Sequence, residues 1–216
     1  MECPLCGSSR VRPFATAAAK QYFECGVCRL VHLAPWQRLS REEQRRHYEL
    51  HDNNPHDRGY RAFLDRLARP LAQQLAPGAK GLDYGCGPGP TLSVMLEERG
   101  FELEVFDPIF APDAGVLQRS YEFIACSEAA EHFCAPGREF DALDRLLRPG
   151  GWLGVMTGML PEPQAFPRWH YARDPTHVSF YSTVTMRWIA AHLGWAAVFP
   201  HRHVVLFRKL HATAHS

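Results

Sequence analysis

Between Ala79 and Lys209, short apolar runs alternate with stretches that repeat their apolar positions every three to four residues. The runs predict strands at Gly81–Tyr84, Leu103–Phe106, Tyr121–Cys126, Trp152–Thr157, Ala196–Phe199 and Val204–Arg208. The stretches predict helices at Thr91–Arg99, Arg138–Leu147 and Val184–His192. Such alternation argues an α/β fold, with a mostly parallel sheet and helices on both faces. The link Pro200–His203 is short enough for a hairpin, which makes the last strand antiparallel. Thirteen residues separate Asp107 from Tyr121, too few for another strand–helix–strand excursion, so the sheet is expected to be shortened at that edge.

The pattern upstream is different. Trp36 to Pro77 is polar with helical periodicity. Ser40 and Glu43 form a capping box that opens a helix toward His51. Asp52-Asn53-Asn54-Pro55 breaks it, and apolar positions resume at Phe63, Leu64, Leu67, Leu71 and Leu75, with Pro70 expected to kink or split that second helix. Residues 35–78 therefore read as a helical linker or cap. Its eight arginines between Arg38 and Arg69 read as a solvated face.

Residues 1–34 are too few to fold on an apolar core. They carry Cys3-x-x-Cys6 and Cys25-x-x-Cys28, separated by eighteen residues, a spacing that suits tetrahedral zinc held by four thiolates. Gly7 and Gly26 would let the two knuckles turn, and Val11–Phe14 and Gln21–Glu24 would form two short strands, together a zinc ribbon.

Composition narrows the class. The chain has 216 residues, of which 46% are hydrophobic and 22% charged, with a formal net charge of +1. That is a globular composition without a global field for nucleic acid. No apolar run approaches the roughly 18–20 residues of a membrane span, and no signal-like N-terminus is present. Seven cysteines, four of them at metal-like spacing, point to a reducing, cytoplasmic compartment.

The chemistry centres on Gly81-Leu82-Asp83-Tyr84-Gly85-Cys86-Gly87-Pro88-Gly89-Pro90, a buried strand, a glycine loop and a helix start. Glycines belong where a ligand lies against the backbone, and Pro90 suits the first helical position. The spacing G-x-G-x-G, with an acid two residues before the first glycine, departs from the dinucleotide G-x-G-x-x-G. The second strand ends at Asp107, eighteen residues after Gly89. At these residues the sequence resembles the class I S-adenosylmethionine (SAM) methyltransferases. The resemblance implies a Rossmann-like sheet and SAM as cofactor. It implies Gly85, Cys86, Gly87 and Gly89 around the methionine portion, Asp83 orienting the loop, Asp107 with Pro108 at the ribose, and Ser127 and Glu128 on the methionine or sulfonium side. The methyltransferase domain would span 79–210.

Two further stretches bear on the acceptor. Glu128-x-x-Glu131-His132 would place three metal-ligand types on one helical face, though a buttress for the cofactor loop is the plainer reading. Phe166 to His177, broken by prolines and rich in aromatics, reads as a substrate lid. There His177 is a candidate general base and equally a lid-fixing partner of Asp174. His51 is a second base candidate, in a Tyr48-Glu49-Leu50-His51 stretch that resembles one in sugar C-methyltransferases. The expected reaction is methyl transfer to an O- or C-nucleophile of a small molecule. The alternatives are an RNA-directed methyltransferase and a non-catalytic zinc-ribbon module that binds RNA or protein.

Overall fold

The two strand-bearing regions of the sequence become two sheets. The computed structural model describes residues 1–49 and 54–211. At the N-terminus, β1 (Val11–Ala17) and β2 (Lys20–Cys25) form an antiparallel hairpin, and β3 (Val31–Leu33) pairs with the other edge of β2. Ala18 and Ala19 turn the hairpin at φ of 48° and 62°. A two-residue turn with both residues left-handed matches strand twist, but Asn-Gly normally announces it. Pro13 sits on the edge strand beside a register shift, where its missing N–H costs least.

The cap follows: α1 (Arg41–Tyr48) starts at the predicted capping box, and α2 (Arg58–Ala72) is capped by Asp57. The latter runs unbroken through Pro70, against the expected split. Pro70 lies in the last turn, while Leu64, Leu67 and Leu71 are buried and hold the helix on the sheet.

The central sheet is built from β4 (Lys80–Tyr84), β5 (Glu102–Phe106), β6 (Tyr121–Ser127) and β7 (Leu147–Met156), with α3 (Thr91–Glu97) and α4 (Pro136–Leu146) between strands. After β7 come the two-residue β8 (Ser179–Phe180), α5 (Thr183–Leu193), β9 (Trp195–His201) and β10 (Val204–Lys209). The strand order is β5-β4-β6-β7-β10-β9, parallel as far as β7 and antiparallel where β10 meets β7 and β9. Between β5 and β6 only a 3-10 turn at Val116–Gln118 intervenes, so among the described residues β5 is the sheet edge. The mostly parallel sheet, antiparallel last strand and shortened edge of the expected fold are all present.

One connection was not foreseen. β8 pairs antiparallel with β3 and completes a four-stranded sheet, β1-β2-β3-β8. Tyr22 from β2 packs edge-on against Phe166 at 4.9 Å, and Phe166 against Phe180 at 5.3 Å, so the aromatic stretch after β7 shares a core with the cysteine-bearing hairpin. Cys3, Cys25, Cys28 and Leu30 are buried in the same cluster as Phe140 of α4 and Ile189 of α5.

Candidate active site

The floor of the crevice is the turn after β4. Asp83, 2% exposed, accepts a hydrogen bond from Ser93 Oγ at 2.8 Å and so ties the strand to α3; burial pushes its carboxyl up to about 6. Gly85 has φ +79°, and a Cβ there would lie 2.5 Å from the Cβ of Ala129. Gly87 is also left-handed, at φ +65°. The helix begins at Thr91, whose amide donates to Gly89 O at 2.8 Å, which leaves Pro90 at the cap and not inside the first turn as expected. Cys86 is half-buried, and its thiol is pushed up to about 12 by burial and by Asp83 and Asp107.

Asp107 is a hub for this floor. Its Oδ2 accepts from Gly87 N at 3.1 Å, and its Oδ1 accepts from Ile109 N at 2.8 Å and Phe110 N at 3.0 Å. The carboxylate thus fixes the glycine loop and the turn after β5 together, and Oδ2, with one donor, keeps lone-pair capacity for another. The Pro108 carbonyl accepts from Arg41, which pins the cap to the same turn.

The wall is built at the carboxyl ends of β6 and β7. Ser127 Oγ is buried without a hydrogen-bond partner. Glu128 is left-handed at φ 48°, unusual for a residue with a side chain, and its amide donates to Met156 O at 2.8 Å. Burial, and then Glu131, push its carboxyl up to about 9. This backbone excursion breaks the helix expected here. Only a 3-10 turn over Ala130–His132 forms, so Glu128, Glu131 and His132 do not share a helical face.

Glu131 and His132 meet His177 instead. Glu131 is fully buried; its Oε2 accepts from Thr157 Oγ1 at 2.8 Å, and its Oε1 has no hydrogen-bond partner. His177 Nε2 lies 4.0 Å from that Oε1 and 3.9 Å from Asp174 Oδ2. Its Nδ1 is 2.7 Å from Tyr171 O, a group that only accepts, so Nδ1 carries the proton and Nε2 is the free lone pair. Burial lowers the pKa of His177, which favours this neutral form. Burial raises the Asp174 carboxyl, but the Thr176 hydroxyl and amide, which both donate to its Oδ1, outweigh it and hold the carboxyl below its ordinary value. Tyr48 from α1 stacks edge-on against His132 at 5.1 Å, and Tyr60 from α2 is pushed up to about 12 by burial and by Asp83 and Glu128. Tyr48 thus stands directly against His132, while the ring of Tyr60 stacks on Phe63. His51 lies outside the described residues. Thr157 belongs to no motif, and Tyr171 and Thr176, though inside the stretch read as a lid, carry no individual signal in the sequence.

In the N-terminal module, Cys3 Sγ and Cys28 Sγ are 3.4 Å apart, Cys6 Sγ and Cys25 Sγ 3.5 Å, and all four sulfurs lie within 4.8 Å of one another. Tetrahedral Zn–S bonds of about 2.3 Å place sulfurs roughly 3.8 Å apart, so the cluster fits zinc. The knuckles turn at Gly7, φ +69°, and at Arg29, φ 63°, and not at Gly26. Gly26 serves close approach instead, 3.3 Å from Arg10 O at its Cβ position.

A glycine turn after the first strand of a sheet ordered β5-β4-β6-β7-β10-β9, with an acid at the end of the next strand, defines a class I SAM-dependent methyltransferase. A family model described as "Methyltransferase domain" matches residues 54–198, and the chain belongs to that family. Three solved structures share the fold. A chain of the complex between the Haloferax volcanii Trm112 methyltransferase activator and a methyltransferase aligns at TM-score 0.52 and 12% identity, covering 80% of this chain and 100% of that one. PH0226 protein from Pyrococcus horikoshii aligns at TM-score 0.51 and 13% identity, covering 77% and 99%. An O-methyltransferase family 2 protein from Planctomyces limnophilus, in complex with apigenin, aligns at TM-score 0.50 and 17% identity, covering 70% and 60%. No curated protein matches the chain. Among the described residues no helix is long and apolar enough to cross a membrane.

Proposed function

We propose that this methyltransferase acts on an O- or C-nucleophile of a small molecule, with the acceptor activated at His177. The supporting observation is the Nε2 lone pair of His177, held in one tautomer by the Tyr171 carbonyl beside the crevice. SAM supplies an activated sulfonium methyl group. Gly85, Cys86, Gly87 and Gly89 would lie along its methionine portion, where the left-handed turns leave bare backbone. Asp107 and Pro108 would take the ribose, and the unpartnered Ser127 hydroxyl, with Glu128, would face the methionine amino and sulfonium side. Asp83 is buried behind the loop and orients it through Ser93.

An oxygen or carbon acid must lose a proton as the methyl group arrives, and His177 Nε2 is placed to take it. In that step the acceptor's O–H or C–H bond breaks, a bond to the methyl carbon forms, the carbon–sulfur bond breaks, and the proton resides on His177 until it passes to solvent. The cap tyrosines Tyr48 and Tyr60 would exclude water and keep the three centres in line. His51 would be an additional base candidate from the same cap. Cys3, Cys6, Cys25 and Cys28 would hold a structural zinc ion.

Radiolabelled SAM offered with quinols, sugar nucleotides and bulk RNA tests the acceptor class. Label is expected in a small molecule, and label in RNA alone would overturn the reading. His177→Gln is expected to abolish transfer while SAM affinity by calorimetry stays within about threefold; undiminished turnover would remove the His177 assignment.

A further inference from the structure

Glu131 presents a fully buried carboxylate with one oxygen, Oε1, lacking any hydrogen-bond partner. Leaving a buried polar oxygen without a partner is costly. Among the described residues, the basic side chain within 4.0 Å of it is His177, and that imidazole turns its lone pair, not a proton, toward the carboxylate. Asp174 Oδ2 flanks the same nitrogen at 3.9 Å and adds a second negative group. His47 Nε2 sits 3.4 Å from Asp174 Oδ2 on the outer side. The charged groups nearest His177 Nε2 are therefore two carboxylates, while the donors at Glu131 are hydroxyls, Thr157 Oγ1 on Oε2 at 2.8 Å and the Tyr171 hydroxyl beside it.

His132 repeats the arrangement of His177. Its Nδ1 is 3.2 Å from Thr176 O, which makes that nitrogen the donor and leaves Nε2 as a lone pair. The two rings approach edge to face at 4.8 Å between centroids. A histidine whose second nitrogen donates to a backbone carbonyl is the usual outer support of a metal ligand, because it sets both tautomer and ring direction. Glu131, His132 and His177 each bring one ligand atom, and the three lie within 4.8 Å of one another. Metal–ligand bonds of about 2.0–2.2 Å span such a group after small side-chain adjustments.

We propose that Glu131, His132 and His177 bind one divalent transition-metal ion of the zinc, manganese or cobalt type. Two imidazoles and a single carboxylate favour this class over Mg²⁺ or Ca²⁺, which want a shell of oxygens. Glu128 is not part of the set, since its left-handed backbone carries it away from the helical register that would have aligned it. Three protein ligands leave a coordination position open for an acceptor oxygen. A hydroxyl bound there loses its proton to solvent more readily, and the resulting alkoxide or phenoxide forms the O–C bond as the C–S bond breaks. This rests on the acceptor being activated at His177, and it replaces direct proton transfer to that residue by coordination.

Metal analysis of the full-length protein tests it. Wild type, dialysed against Zn²⁺ and then metal-free buffer, is expected to retain two metal equivalents per chain, and Glu131→Gln and His177→Gln one each. In Co²⁺-substituted protein, the thiolate site gives intense sulfur-to-metal charge-transfer absorption, whereas the second site adds only weaker ligand-field bands. Those weaker bands should vanish in Glu131→Gln while the charge-transfer bands persist, and Co²⁺ titration should show at least tenfold weaker second-site binding. Normal SAM affinity in both variants keeps misfolding from imitating the result. One metal equivalent in wild type, with no second Co²⁺ site on titration, overturns the metal while leaving His177 as a direct base. Turnover that survives His177→Gln with two equivalents bound would overturn both.

Discussion

The floor of the crevice at Gly85–Gly89 and its wall at Glu131, His132 and His177 belong to one site but are assembled differently. The floor comes from one continuous turn, cross-linked by a single carboxylate, Asp107, that collects three backbone amides. Its shape follows from backbone angles and nearby hydrogen bonds. The wall draws side chains from α1, the turn after β6, the end of β7 and the stretch that leads to β8. That stretch is held by β8 pairing with β3, hence by the cysteine-bearing sheet. The floor can survive changes elsewhere in the molecule; the wall depends on the N-terminal module being folded.

The sharpest way to break this contrast is to remove the cysteine cluster. Cys25→Ser is expected to abolish zinc at that site and to lower stability by several kcal/mol, a part of the roughly 10–16 kcal/mol that such sites supply to small modules. Because Cys25 and Leu30 share a cluster with Phe140 and Ile189, calorimetry should show one shifted transition. Separate melting of residues 1–34, with the rest unaffected, would make the module an independent unit.

Gly85→Ala strikes the floor. A left-handed alanine and a Cβ placed 2.5 Å from Ala129 should cost about 2–4 kcal/mol in denaturant melts and weaken SAM binding. A wild-type melt would mean that the turn can relax. Asp107→Ala should weaken SAM by roughly 1–3 kcal/mol in calorimetric titration, since the loop amides lose their acceptor and, in the proposed binding mode, so do the ribose hydroxyls. Unchanged affinity would remove the ribose assignment.

The smallest effect is a pH dependence. Asp83 has its folded-state pKa raised by burial, from 3.8 to about 6. The unfolded chain releases this proton first, so stability is highest below the unfolded value and falls as pH rises from about 4 to about 6. Comparing thermal melts of wild type and Asp83→Asn across that range should show the slope reduced in the variant. Parallel curves would mean that Asp83 ionises in the fold as it does in water.

Much of the scaffold was legible along the chain. Strand and helix alternation after Ala79, the short gap from Asp107 to Tyr121, and the final hairpin are local patterns, and the sheet follows them closely. Other features had no local signal. Ala18 and Ala19 make a left-handed turn without glycine or asparagine, and Arg29 turns a knuckle where Gly26 was expected to. The helical face expected for Glu128, Glu131 and His132 failed because Glu128 gives its amide to Met156 of the neighbouring strand. No periodicity encodes a bond of that kind.

By itself, the order of residues determined the α/β class, the glycine turn with its acid partner and the paired cysteines, because each arises from contacts between near neighbours or from a rigid chemical spacing. Only the tertiary structure decided that His177 would stand 4.0 Å from Glu131 and that a two-residue strand would dock on the N-terminal sheet. Those contacts join segments more than forty residues apart in one case and nearly one hundred and fifty in the other, brought together by burial of aromatic side chains such as Phe166 and Tyr22. Burial is non-directional, so it records no partner in the sequence.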